Sequence, residues 1–539
     1  MFIINGWLQN ATGVFTEQPL KKVIPNGTIA GMQNTPVELD LAASTQMVQH
    51  LLTTLRQQHS DVDCIETHIS WVLLAGEHAW KVKKPVNYGF LDYSTQAQRL
   101  WGCQEELRLN QRSAAALYVD VVPITGSVAA PQLGGTGPAL DYCVHMRRFS
   151  QKDLFTSLAA EGQLTAPLIE QLAEQVAHMH AVAEVATPTA SQGQPEGMHH
   201  AVADNFGVLR GMLAHSPLRT TLRQLLRWTN QEHKRLLPLL NRRVEQGFIR
   251  ECHGDLHLGN IMLYQGQAMP FDAIEFQPAF RWNDVQADIA FLVMDLLQRE
   301  QPVLAWRALN RWLEHTGDYE GLALLPYYLV YRALVRAKVS GFRLFGANSE
   351  QRAAIEQEMA AYLNLALQCI QPRTRFLWIT FGVSGSGKST ATLPLLGEKG
   401  IIRLRADVER KRLFGLAPTA SSHAAGLDIY TREASARTFA QLRALAKAVL
   451  EAGFPVLVDA TFIRQSTRQV FADLAAELGV PFKILGFQVD AEVLRERVQR
   501  RAQEGKDASE ATWSVVQSQL EAVEALNTAE QAVVEWQQR

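Results

Sequence analysis

Residues 250–263 read "RECHGDLHLGNIML" and set Cys252, His253, Asp255, His257 and Asn260 within nine positions of one another. Three chemistries compete for such a cluster. A zinc site needs ligands that converge on one point. Cys252 and His253 are neighbours whose side chains diverge, and no second ligand pair at a metal-binding spacing lies nearby. A cysteine nucleophile with a histidine base fails on the same geometry. What remains is the spacing of an aspartate two residues after a histidine, with an asparagine five residues further on.

That spacing, H-x-D-x-x-x-x-N, suits phosphoryl transfer. Asp255 would accept the proton of an attacking hydroxyl, and the Asn260 amide oxygen would hold Mg²⁺ on the phosphates of ATP. The continuation predicts a hairpin, with strand "IMLY", turn "QGQ" and then "PFDAIEF". The hairpin delivers Asp272 to the same end as a second metal carboxylate. Upstream, two strand-like runs, "THISWVLLA" and "HAWKVKKPV", flank a turn at Gly76-Glu77. Strand alternation puts Ala79 and Lys81 on one face, as a phosphate-pairing lysine requires. Lys83 shares that face as the runner-up, and Lys84 points away. The amphipathic run "AQRLWGCQEELRLNQR" predicts a helix bearing Glu105 and Glu106, with Glu106 the expected anchor of the lysine.

Together "HGDLHLGNIM" and "FDAIEF" resemble the aminoglycoside phosphotransferase branch of the protein-kinase-like fold. The stretches "ETHISWVLLAGEHAWKVKKPVNYGFLDYST" and "DYCVHMRRF" resemble a bacterial group in which such a domain precedes a P-loop kinase. The resemblance implies a two-lobed α+β kinase with "DYCVHMRRF" near the hinge. Two departures stand against protein kinases: no G-x-G-x-x-G precedes Lys81, and Ala-Ile rather than Phe-Gly follows Asp272. Asp288, in "DVQADIAFLVMDL", reads as a scaffold aspartate under the loop rather than a metal ligand.

A second signature, "GVSGSGKST", begins at Gly382 and matches G-x-x-x-x-G-K-[ST]. The apolar strand "FLWITF" runs into it and a helical pattern follows. Backbone N–H groups along Gly382, Ser384, Gly385, Ser386, Gly387 and Thr390 are expected to cradle phosphates. Lys388 would neutralise their outer oxygens and Ser389 would ligate Mg²⁺. "VLVDATF" offers Asp459 as the carboxylate holding a metal-bound water. After strand "IIRLR", Asp407 and Arg410 form D-x-x-R, an acceptor-side base with an arginine to fix the substrate. Arg497 and Arg501 lie four apart on one helical face and suit a lid over the phosphoryl group, although a solvated helix with Glu-Arg pairs has the same spacing. The set resembles small P-loop kinases of the gluconate-kinase, chloramphenicol-phosphotransferase and polynucleotide 5′-kinase kind, within the AAA type.

A chain of 539 residues exceeds one ordinary core. Alternating short strands and helices after "CIQPRTR" predict a parallel α/β sheet there. The expected division is an extension of unassigned role over 1–40, the two-lobed domain over 41–370 and the P-loop domain over 371–539. Five scattered cysteines, no basic leader and no membrane-length apolar run predict a cytoplasmic protein. Asn10 and Asn26, each in an Asn-x-Thr triplet, are accordingly expected to be idle. The expected activity is bifunctional, with two Mg²⁺–ATP sites each phosphorylating a hydroxyl of a small molecule. Two rivals remain: nucleic-acid 5′-end phosphorylation by the C-terminal domain, and one nucleotide site regulating the other. The net charge of −2 gives no electrostatic footprint for nucleic acid or membrane. From residue 371 onward 22 Lys+Arg face 19 Asp+Glu, weak support for a polyanion.

Overall fold

The computed structural model describes residues 38–537 apart from residue 90, residues 191–192 and residues 505–506. The expected extension therefore lies almost wholly outside the described residues, as do Asn10 and Asn26.

Six antiparallel strands form the first layer: β1 (Val62–Glu66), β2 (Ser70–Ala75), β3 (His78–Lys83), β4 (Tyr118–Ser127), β5 (Ala130–Leu133) and β6 (Asp141–Arg147), in the order β1-β2-β3-β6-β4-β5. Gly76, at φ +55°, makes the β2–β3 turn at the expected place. The turn between β1 and β2 is only Thr67-His68-Ile69, so no glycine loop arches over the site. Helix Leu41–Gln58 packs Met47, Leu51 and Leu55 against Trp71, Leu73 and Val82 on one face. Helix Gln96–Ala114, started by a Thr95–Gln98 capping box, covers the other face through Cys103 and Ala79. Period-two alternation along β3 thus aims Ala79, Lys81 and Lys83 at the helix that carries Glu106.

β6 leads through Arg148 and Phe149 into a mainly helical lobe. Two small strand pairs frame the 250–263 segment: β7 (Ile249–Glu251) pairs with β10 (Trp282–Asp284), and β8 (Ile261–Tyr264) with β9 (Gln267–Pro270). Beneath the segment runs helix Val285–Gln298, apolar on almost every side and buried accordingly. Its Asp288 and Asp295, two turns apart, reach the loop. Asp288 accepts from the N–H groups of His253 and Gly254, and Asp295 accepts from Leu258 N–H.

From Leu377 a parallel sheet follows, with β11 (Leu377–Phe381), β12 (Ile402–Arg405), β13 (Val456–Asp459), β14 (Phe482–Gly486) and β15 (Val534–Trp536) in the order β12-β13-β11-β14-β15. β11, β12 and β13 coincide with the strands "FLWITF", "IIRLR" and "VLVD" read from sequence, whereas β15 was not anticipated. Its three residues carry no apolar run.

One helix, Pro302–Thr316, joins the halves. Val303 fills the space beside Gly397, and Trp306 packs on Gly400 and edge-on to Phe454. Asn310 donates to Ile401 O at 2.8 Å and accepts from Arg403 N–H at 2.7 Å. Its amide therefore does for the outer strand β12 what a neighbouring strand would do. Glu314, 1% exposed, pairs with Arg403 at 2.8 Å, and Arg412 donates to the Glu314 carbonyl. The apolar core runs without a break from one half into the other.

Candidate active sites

In the N-terminal half Lys81 lies between two carboxylates, 2.7 Å from Glu106 and 2.6 Å from Asp272. Burial alone would push its ammonium toward neutrality. Asp272 and Glu106 outweigh that and hold it charged well above the ordinary lysine range. Glu105 turns instead to Arg108 and Arg281. Lys83 adds a second buried ammonium, bound to Glu106 and Glu275, and the Tyr93 hydroxyl donates to Glu275. Lys84 points away, to Glu66. Sequence reading missed Glu275 and Tyr93.

Asn260 Nδ2 donates at 3.0 Å to both the carbonyl and the carboxylate of Asp255. This turns the amide oxygen away from Asp255, the orientation a metal ligand needs. Burial raises the Asp255 pKa, but His257, Arg336 and His253 overcome it and hold the carboxyl well below the usual range. Asp272 sits at φ +60°, a conformation L residues rarely adopt, where a neighbouring charge network holds it. The cavity beside Lys81 and Asp272 is small, about 50 Å³, and apolar, with Val72, Ala79, Met146, Phe149 and Phe271 among its lining.

The scaffold beneath is longer than expected. His180 Nε2 lies 3.0 Å from Asp288, while Trp312 Nε1–H donates to His180 Nδ1 at 3.1 Å. The indole leaves Nδ1 as the acceptor, so Nε2 carries the proton toward Asp288. Burial opposes ionisation of Asp288, yet the His180 bond brings its pKa down to about 2. His180, Cys252 and Asp288 are close enough to hold a metal ion, but both ring nitrogens of His180 are already engaged and burial pushes the Cys252 thiol far up. Trp312 and Glu314 lie on the same joining helix.

In the C-terminal half β11 enters the phosphate loop. Gly385 and Gly387 take φ near +85°, and Gly382 has Phe487 O where a Cβ would sit. Helix Lys388–Lys399 starts at the loop's end. Lys388 donates to the carbonyls of Gly382 and Val383, and burial lowers its pKa to about 8. Ser389 Oγ donates to Asp459 Oδ2 at 2.6 Å. These hard oxygen donors suit Mg²⁺. Ser384 N–H is held by Gln519 Oε1 at 2.7 Å, which sets helix Trp513–Glu521 across the loop and was not foreseen.

All of this opens on a cavity of about 1030 Å³. Ser384, Gly385, Gly387, Lys388, Ser389 and Thr390 line it, together with Asp407, Arg410, Asp459, Arg497 and Arg501, whereas Gly382 and Ser386 stand behind its wall. Arg410 is partly committed to the chain itself, donating to Ile429 O and Ser435 Oγ, and Arg501 donates to Ala511 O.

Residues 377–526 match the family model described as an AAA domain. An uncharacterized protein of Mycobacterium tuberculosis is 28% identical over 449 residues, covering 83% of this chain and 88% of the relative. Among solved structures, the ADP-bound aminoglycoside phosphotransferase APH(2'')-Ib is similar over 60% of this chain and 98% of its own, at 12% identity and a TM-score of 0.34. A gluconokinase from Sinorhizobium meliloti is similar over 30% of this chain and 82% of its own, at 19% identity and a TM-score of 0.23. Among the described residues no helix is long and apolar enough to cross a membrane.

Proposed function

We propose that this chain is a kinase with two Mg²⁺–ATP sites, each phosphorylating a hydroxyl of a small molecule. The contact between Ser389 and Asp459, beside Lys388 and within the cavity that Asp407 lines, supports this reading most strongly. At the C-terminal site the loop N–H groups and Lys388 bind the phosphates. Asp407 takes the proton of the acceptor hydroxyl, Arg410 borders the acceptor, and Arg497 and Arg501 meet the transferring group. Ser389 and Asp459 would hold Mg²⁺, which supplies neutralising charge to the phosphate oxygens.

At the N-terminal site Lys81, anchored by Glu106, pairs with the phosphates. Asp255 accepts the hydroxyl proton, and Asn260 and Asp272 would hold the metal. The charges of His257, Arg336 and His253 keep Asp255 ionised at physiological pH.

A pool of small metabolites incubated with labelled ATP and the full-length chain tests the reading. Wild type, Lys388→Ala and Asp255→Asn are compared, and each variant should lose a different labelled product. Loss of both products in either well-folded variant would favour one site regulating the other. No labelled product from wild type would defeat the proposal.

A further inference from the structure

The C-terminal cavity carries more positive charge than a nucleotide uses. Eight of its lining side chains are Lys or Arg and three are Asp. Lys388 stands at the phosphate loop, and Arg405 is spent on Asp507 and Glu314. A further group lines the same cavity as Asp407, on segments that belong neither to the phosphate loop nor to the helix across it. Arg410 lies one turn beyond Asp407, Arg432 opens helix Arg432–Glu451, and Arg464 follows β13. Arg410 is 8% exposed and stacks on Tyr430 at 5.1 Å, yet its buried Nε has no hydrogen-bond partner among the described residues. Arg432 and Arg464 are exposed and make no ion pair among the described residues, although both line the cavity.

A buried guanidinium N–H without an acceptor costs free energy, and like charges lining one cavity repel one another. Both costs are relieved by an anion with several acceptor oxygens, which the planar guanidinium fork matches well. The positive charge is also local. The portion of the chain from residue 371 carries 22 basic against 19 acidic residues, so its basic excess is concentrated in the cavity lining. That distribution suits a small anion better than a polyanion.

We infer that the acceptor phosphorylated at the C-terminal site is itself an anion. It is a small hydroxylated compound whose carboxylate or phosphate group is held by Arg410, Arg432 and Arg464 while its hydroxyl faces Asp407. The inference rests on the phosphoryl-transfer reading of this cavity.

The test is calorimetric binding to the full-length chain saturated with Mg²⁺ and a non-hydrolysable ATP analogue. The probes are a straight-chain sugar acid, a sugar phosphate and the neutral sugar alcohol of the same length. At least one anion should bind once per chain, at least about tenfold more tightly than the alcohol, the expected scale for one lost charged hydrogen bond. Whichever anion binds distinguishes carboxylate from phosphate. The double variant Arg432→Ala/Arg464→Ala should lose about tenfold or more of that binding and keep its affinity for the ATP analogue. The inference is overturned if neither anion binds, if the alcohol binds as well, or if the double variant binds the anion unchanged. Tighter, steeply salt-dependent binding of a 5′-hydroxyl oligonucleotide would also overturn it. The underlying reading fails separately: the anion binds, but ATP supplied in place of the analogue yields no phosphorylated product.

Discussion

The hydroxyl of Ser389 and the carboxylate of Asp459 meet at 2.6 Å, although 70 residues separate them in the chain. Parallel pairing of β11 with β13 makes the meeting, because both strands end at the same edge of the sheet. Asp407 follows β12, one strand further out, and so reaches the cavity from another side.

These positions separate two kinds of defect. Asp459→Asn should raise the Mg²⁺ concentration for half-maximal turnover about tenfold or more, with little change in acceptor KM. Asp407→Asn should lower kcat about 10²- to 10⁴-fold and leave the Mg²⁺ requirement alone. Magnesium and acceptor titrations of both variants decide. If Asp407→Asn moves only the metal requirement, the two assignments must be exchanged.

Lys388 carries a pH consequence. Burial lowers its folded pKa to about 8, so its proton is lost as pH rises through that value. ATP phosphates bind the ammonium form, and affinity at the C-terminal site should therefore hold below pH 8 and weaken progressively above it. Equilibrium binding of ATP from pH 6.5 to 9.5, measured in a Lys81→Met background that weakens the N-terminal site, would show the bend. Lys388→Met should remove both the bend and most of the affinity.

In the N-terminal half, Trp312→Phe deletes the donor that fixes His180 against Asp288. The expected loss of stability is about 2–3 kcal/mol, since one neutral hydrogen bond goes and the smaller ring leaves part of a fully buried site unfilled. The kcat of the N-terminal reaction should fall several-fold at unchanged KM for ATP, with the C-terminal reaction unaffected. Equal losses at both sites would show that the indole serves the fold alone.

The junction predicts an acid transition. The Arg403 and Arg405 charges outweigh burial and bring Glu314 from 4.5 down to about 2. A carboxyl depressed in the folded state stabilises above its unfolded pKa and loses that contribution as pH falls from about 4.5 toward 2. Glu314→Gln should abolish this part of the pH dependence and cost about 3–5 kcal/mol at neutral pH, because Arg403 is left buried without its partner. Chemical denaturation of both proteins at pH 7 and pH 3 measures it.

What was legible in the sequence was local. The loop from His253 to Asn260 and the phosphate loop from Gly382 to Ser389 are contiguous, so their backbone geometry is written in neighbouring residues. Lys81 was legible through strand alternation, and Asp288 was read as a scaffold aspartate, which matches its hold on the His253 and Gly254 N–H groups. The Glu275–Lys83 pair, the His180–Trp312 contact and the Gln519 cap were not. Their partners lie between 132 and 192 residues apart, and no spacing rule connects them. An aspartate or arginine on a helix also shows its period but not its neighbour. Hence Arg410 was read as a substrate ligand, while part of its guanidinium is bound to Ile429 and Ser435.

Asn310 completes the hydrogen bonds of β12 from outside the sheet. Severed near residue 371, the C-terminal half would display that strand's naked margin, along with Gly397, Gly400 and Phe454 stripped of Val303 and Trp306. Such a margin recruits other chains, and the fragment would tend to clump before it could be assayed. The seam in the sequence is not a place where the molecule can be cut.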